Sequence, residues 1–320
     1  MAEMKMSFPP SFFEEEDKVL RVSSDTKRVW AVELDLLAEL QRVCSKHNIK
    51  FFAISGTLIG AARHKGFIPW DDDIDVVMMR SEYEKLLSIA VDEFKEPYFL
   101  QTPFSDPESG YGFAKLMNCS TTAVYGSNVC NGVVTLPARH GILLDIFPLD
   151  RIPDDEKDRR LFSAALAKHK ATVVAVKRWR MLARHWKKFP KTPGNMFRAF
   201  LGKLESLRRR ISGRDMLIES SRRLDQMAQR YNTSPFEKCA PVTNTPFPRK
   251  HEVFFVSSFD KCVELPFEMT RIPCPQNYKT VLDNAFGDWH KHVVGGSAHT
   301  YAILDVDKSY RCYMGKYKNS

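Results

Sequence analysis

The residues best suited to chemistry lie in one run: Ser55-Gly56-Thr57, then Arg63 and Lys65, then Asp71-Asp72-Asp73-Ile74-Asp75. Asp73 to Met78 alternates acid with aliphatic and reads as a strand, which would aim the Asp73 and Asp75 carboxylates to one face. Two like charges that close raise each other's pKa and are unfavourable unless a cation sits between them. Oxygen-only donors completed by water suit Mg²⁺ or Mn²⁺. Upstream, Ser55-Gly56-Thr57 joins a strand to the start of a helix, where free N–H groups attract phosphate. Arg63 and Lys65 follow one short helix later and can add charge-assisted contacts to phosphate oxygens. Asp145 stands alone among apolar neighbours in Leu143-Leu144-Asp145-Ile146-Phe147. Burial there is costly without a partner, and a shared metal or a proton taken from an attacking hydroxyl would account for it. Lys115 is a second phosphate-clamp candidate, or the ion-pair partner of one of these acids. The set as a whole points to phosphoryl-group chemistry.

Plainer readings exist for each piece. Acid-rich loops are usually solvated surface, which is the expectation for Asp71 and Asp72. Asp71, Asp73, Asp75 and Glu82 fall at positions 1, 3, 5 and 12 of a calcium loop, but Val76 stands where that loop needs glycine. An Asp-x-Asp pair alone is common by chance. Arg63 could be a surface helix charge. His290, His292 and His299 have no thiol or carboxylate at zinc-site spacing and read as surface or acceptor-pocket residues.

The elements that must hold these residues can be read from periodicity. Val29, Val32, Leu36, Leu40 and Val43 step at three and four, predicting a helix capped by Asp25 and running to about His47. Residues 50–55 read as a buried strand and 57–64 as a short helix opening on Gly56. Ser81-Glu82-Tyr83-Glu84 resembles a capping box for a helix to about Phe94. Strands are expected at 97–101, 112–117, 122–125 and 141–147, helices throughout 154–230 with breaks at 190–194 and 212–213, and a last helix at 278–286. Strands mixed with flanking helices argue an α/β or α+β domain.

The chain has 320 residues, 43% hydrophobic and 27% charged, which excludes disorder and a disulfide miniprotein. Its net charge of +9 is uneven: residues 157–230 hold 21 Lys and Arg against 5 Asp and Glu. Aromatic and aliphatic residues are interleaved with these cations, as in basic helices that lie on anionic membranes; a solvated face over a helical core is the alternative. No recognition motif accompanies the charge, so nucleic acid is not an expected partner. Seven scattered cysteines without a CxxC read as reduced thiols. With no signal-peptide pattern and no apolar run of membrane-spanning length, the expected location is cytoplasmic, with peripheral contact at the inner membrane face.

The stretch GTLIGAARHKGFIPWDDDIDV followed by LLDIFPLD resembles the LicD family, which includes fukutin and fukutin-related protein. The resemblance extends to Ala114-Lys115-Leu116 with Thr121-Thr122, and more loosely to Asn277-Tyr278, Gly287-Asp288-Trp289 and His299-Thr300-Tyr301. It spans 45–150, and loosely 260–305. It favours α+β, implying a nucleotidyltransferase-like mixed sheet flanked by helices, formed by residues 1–153 and 236–320, with 154–235 as a basic helical insertion. It also implies transfer of a phospho-alcohol, such as phosphocholine or ribitol phosphate, from a CDP-linked donor to a glycan or lipid-linked glycan. By this resemblance Asp73, Asp75 and Asp145 are the catalytic, metal-holding carboxylates, and Gly56 and Thr57, beside Ser55, form the phosphate turn. Ser55 stands where the wider superfamily prefers another small pattern, and fifteen residues separate Thr57 from Asp73. Two other functions compete: a glycosyltransferase using Asp73-Ile74-Asp75 with a nucleotide sugar, and a non-catalytic membrane-binding adaptor.

Overall fold

A computed structural model describes residues 3–17, 21–110, 112–130, 133–135, 137–249, 252–293 and 300–314. The predicted 3–4 stripe becomes the buried face of α1 (Ser24–Lys46). Its cap is Ser23 rather than Asp25: the Ser23 hydroxyl accepts from the Thr26 N–H at 3.1 Å. Asp25 sits in the first turn, where its charge suits the helix dipole.

Among the described residues α1 packs on a seven-stranded sheet. Its strands are β1 (Phe52–Ala53), β2 (Asp75–Met79), β3 (Tyr98–Gln101), β4 (Ala114–Asn118), β6 (Ile142–Ile152), β7 (Lys238–Ala240) and β8 (Phe254–Phe255). β6 is the organising strand. It pairs parallel with β2 on one side, and antiparallel with β4 and then β7 on the other. The run from Ile142 to Ile152 is almost wholly buried, as a strand covered on both faces should be. The fold is therefore mixed α+β, with a mixed sheet flanked by helices. β5 (Thr122–Tyr125) lies off this sheet and pairs with β11 (Tyr301–Asp305), while β9 (Cys262–Phe267) and β10 (Thr270–Pro275) form a hairpin.

Between β1 and β2 the chain makes α2 (Ser55–Ile59), which continues as one wide π turn over Gly60–His64. α2 begins at Ser55, not after Gly56, and Ser55 takes a left-handed φ of 52°. α3 (Arg80–Glu93) starts without the expected capping box: Met79 is its cap, and Glu84 instead meets Arg80 at 3.1 Å. After β6 come α4 (Glu156–Arg184), α5 (Pro193–Ser212) and α6 (Met216–Ala228), broken near the positions the sequence predicts. α7 (Tyr278–Phe286) closes the helical set.

Candidate active site

The acid-bearing loop is held from two sides. Trp30 on α1 stacks on Phe67 at 4.6 Å, and its indole N–H donates to the Asp71 carbonyl at 2.9 Å. From the other side Glu268, in the β9–β10 turn, accepts from the Phe67 N–H at 3.0 Å and donates its own N–H to the Lys65 carbonyl at 2.7 Å. Buried Trp30 on one flank and half-buried Glu268 on the other hold the loop without using its carboxylates.

β2 starts at Asp75, so Asp73 precedes the strand, and the two-residue alternation expected to align Asp73 with Asp75 does not apply. What the fold aligns instead is a row across three strands. Asp75 on β2 is the register partner of Asp145 on β6, and Asp145 is the partner of Lys115 on β4. Register partners on neighbouring strands share a face. Lys115 Nζ donates to Asp145 Oδ1 at 2.8 Å, and both side chains are buried. Asp145 thus has a buried ion-pair partner within the sheet. Lys115 also lies 4.9 Å from the Phe113 ring centre.

The carboxylates that converge most closely are further upstream. Among the described residues Asp71, Asp72 and Asp73 place oxygens within 4.8 Å of one another, a group that omits Asp75 and Asp145. Asp71 is not the solvated surface acid expected: burial, Asp73 beside it and Asp72 push its carboxyl up to about 8. Burial, then Asp73, Asp145 and Asp71, hold the Asp75 carboxyl well above the carboxylate range.

Glu33 is the residue that sequence reasoning missed. It lies on the inner face of α1, 1% exposed, with Oε2 buried and without a hydrogen-bond partner. Burial and then Asp73, Asp72, Asp71 and Asp75 raise its carboxyl well above the usual range. The available signal was an acid four residues after Val29 and three before Leu36, inside an apolar stripe. Tyr301 joins the same neighbourhood, stacked on Tyr125 at 5.2 Å and pushed up by burial, Tyr125, Asp72, Glu33 and Asp73.

The turn residues take positional roles. The Thr57 hydroxyl accepts from the Asp75 N–H at 2.8 Å, tying α2 to the start of β2. A Cβ on Gly56 would sit 2.3 Å from Asp71 Oδ2, so only glycine lets that carboxylate lie against the turn. Arg63 is not brought to the acids. Its guanidinium donates to the Trp289 and Lys291 carbonyls at 2.7 and 3.0 Å. Nor do the histidines form a cluster: His290 lies 3.7 Å from Asp288, His292 packs on His64, and His299 lies outside the described residues. A cleft of about 870 Å³ runs between the start of α4 and α7, and no acid of the loop lines it.

An all-oxygen donor set with an unsatisfied buried carboxylate oxygen beside it fits a hard divalent cation of the Mg²⁺ or Mn²⁺ kind. Neutral ligands or thiols, which softer metals prefer, are absent from the set.

Residues 48–113 match the family model described as the LicD/FKTN/FKRP nucleotidyltransferase domain. The lipopolysaccharide cholinephosphotransferase LicD of Haemophilus influenzae is 34% identical over 125 residues, 39% of this chain and 44% of that protein. An uncharacterised protein of Rickettsia prowazekii is 45% identical over 47 residues, 15% of this chain and 18% of the relative. The chain spans less than half the length of these curated relatives. The matched stretch contains the glycine turn and all four aspartates of the loop, and it is in this stretch that the chain is similar to the LicD family.

Proposed function

We propose that the protein transfers a phospho-alcohol, of the phosphocholine or ribitol phosphate kind, from a CDP-linked donor to a glycan or lipid-linked glycan, releasing CMP. The observation that carries this reading is the buried, unpartnered Glu33 oxygen beside Asp71, Asp72, Asp73 and Asp75, whose mutual repulsion a bound cation would relieve. The name of the Haemophilus relative supports phosphocholine and a lipopolysaccharide acceptor as the first pair to test.

In this reading Asp71, Asp72 and Asp73 hold Mg²⁺ or Mn²⁺, with Glu33 and Asp75 closing the set. The bound ion supplies neutralisation of the diphosphate and of the departing CMP. Ser55, Gly56 and Thr57 shape the wall against which the diphosphate lies, and the absent Gly56 side chain leaves room for Asp71 there. An acceptor hydroxyl attacks the β-phosphorus, the bond from that phosphorus to the bridging oxygen breaks, and CMP leaves. Asp145 takes the hydroxyl proton, positioned by the Lys115 ammonium. Lys115 faces the row of acids and is the better phosphate clamp; Arg63, bound to two carbonyls, serves to fix the segment after α7.

We further propose that 1–153 and 236–320 form a nucleotidyltransferase-like catalytic domain with 154–235 inserted as a basic helical unit. The pairing of Ile152 with Lys238 supports it, because the segment leaves and re-enters the sheet at adjacent positions. No helix among the described residues is long and apolar enough to cross a membrane. A cytoplasmic enzyme peripheral to the inner membrane face fits a lipid-linked acceptor.

The test is a donor screen with CDP-choline, CDP-ribitol, CDP-glycerol and UDP-sugars, in Mg²⁺, Mn²⁺ or chelator. CMP release that requires the ion, and is lost in Asp73→Asn and Asp75→Asn proteins of unchanged melting temperature, is expected. UDP release would assign a nucleotide-sugar glycosyltransferase, and absence of metal-dependent nucleotide affinity would leave the adaptor.

A further inference from the structure

α5 packs with its faces reversed. Its inward side is made of small residues and one acid: Ala199, Gly202 and Glu205 are buried against α4. A Cβ on Gly202 would lie 2.1 Å from the Trp179 carbonyl oxygen, so the two helices meet as closely as backbones can. Glu205 accepts from Arg180 Nε at 3.0 Å within a buried ion pair. Turning α5 about its axis would break this pair and drive larger side chains into the α4 contact, so the rotation of the helix is fixed from within.

The consequence is that its large apolar side chains face outward. Met196, Phe197, Phe200, Leu204, Leu207 and Ile211 are 53%, 62%, 59%, 52%, 51% and 78% exposed. At 3.6 residues per turn the six fall within an arc of about 100°. An ordinary surface helix points such a stripe at the core. Here it points away from the protein along the whole length of the helix.

The rims of the stripe are cationic. Lys203 and Arg210 border one edge and Arg208 the other, all exposed. Lys203 and Arg210 make no ion pair among the described residues, whereas Arg208 reaches Glu219 at 3.3 Å. The helix has a single acid, Glu205, and that one is turned inward. A second copy laid on this face would set cation against cation with no acid to answer them. A surface that is apolar beneath and negative at the boundary is complementary on both counts, with aromatic and aliphatic side chains entering the acyl layer while the Lys and Arg stems let their charges reach headgroups.

We infer that α5 is an in-plane anchor that seats this protein on an anionic lipid bilayer. The inference goes beyond the transferase reading: it rests on the surface of α5 alone, and vesicle binding can fail or succeed whatever the donor screen gives.

The test is flotation of the full chain with phosphatidylcholine vesicles, with and without phosphatidylglycerol. Binding is expected only with the anionic lipid and should weaken as salt rises. Lys203→Glu with Arg210→Glu should reduce it about tenfold or more, since each cation near such a surface favours binding several-fold. Phe197→Ser with Phe200→Ser should reduce it comparably, with the circular dichroism and melting temperature of the parent, because neither residue touches the α4 contact. Full-chain protein that stays unbound, or binding by both variants equal to the parent's, overturns the inference. Sedimentation giving a dimer that Phe200→Ser dissolves would also overturn it and assign the face to a second copy.

Discussion

The geometry at the residue scale turns on carboxylates kept close together, with one buried oxygen, Glu33 Oε2, lacking a hydrogen-bond partner. Glu33→Gln retains the shape of the side chain and removes a charge from among four aspartates. Metal-free Glu33→Gln protein should melt a few degrees higher, since glutamine is spared the cost of charging or protonating a buried acid, a gain of roughly 1 kcal/mol or more that moves Tm by about 2–4 °C. Its affinity for Mn²⁺ should fall, read by isothermal titration. A variant that melts lower and binds Mn²⁺ normally would make Glu33 a structural acid. Gly56→Ala tests the turn: the new methyl displaces Asp71, and a shift on the scale of 1 Å in a reacting group costs about 10²-fold in rate. CMP release should drop by that order while the melting curve stays near the parent's.

Elements are joined by buried ions as much as by apolar contact. Arg80 on α3 meets both oxygens of Asp150 on β6, at 2.8 and 2.6 Å, and Asp225 on α6 at 2.8 Å. Asp150, fully buried, also accepts from Asn232 at 2.7 Å. Arg80→Met leaves that charge uncompensated and should cost about 3–5 kcal/mol in urea unfolding. Pairing it with Asp150→Asn should recover much of the loss, which a purely steric effect would not. Lys177 on α4 donates to the Ser109 carbonyl at 2.6 Å, and burial lowers its ammonium to about 8. A base whose folded pKa lies below its unfolded one is a cost while charged, and the cost fades as pH climbs from about 8 towards 10.4. The stability difference between Lys177→Met and the parent should therefore be constant below pH 8 and change as pH rises through that window. The comparison must be differential, because the Cys44 and Cys119 thiols, pushed up to about 12 by burial, weaken the folded state over the same alkaline range.

At the scale of the whole molecule, the basic character divides into two uses. Arg180 and Arg184 are consumed internally: Arg180 meets Glu205, Asp215 and Glu108, and Arg184 meets Glu108 at 2.6 Å, so part of the charge clamps α4, α5 and α6 to the 107–109 turn. Another part, Lys203, Arg208 and Arg210, lies outward along α5. Neutralising an internal cation should lower stability and leave vesicle binding near the parent's, whereas neutralising Lys203 and Arg210 should do the opposite. Thermal melts and flotation on the same four proteins would separate the two sets.

How much of this was legible follows from the range of the forces involved. The α1 stripe, the breaks flanking α5 and the bounds of α7 are local matters of periodicity and of Pro and Gly, and a linear reading recovers them. So is the long run from Gly56 to Asp75, whose residue types alone carry the resemblance to the LicD family. The cap at Ser23 was misread because a side chain two positions away can take over a cap once the chain bends, and α3 starts at Met79 with no side-chain cap at all. Asp73 and Asp75 were placed on one strand because alternation was assumed to begin before the sheet's ladder does. Only the tertiary structure could pair Asp145 with Lys115, bury Asp71 against Gly56 or bring Glu33 to the acids. Those contacts join residues on separate elements through strand register and helix packing, and neither is encoded in any one stretch. The reversal of α5 is of the same kind: the sequence makes the helix amphipathic, but which face turns inward is decided by the Glu205–Arg180 pair and the close approach at Gly202.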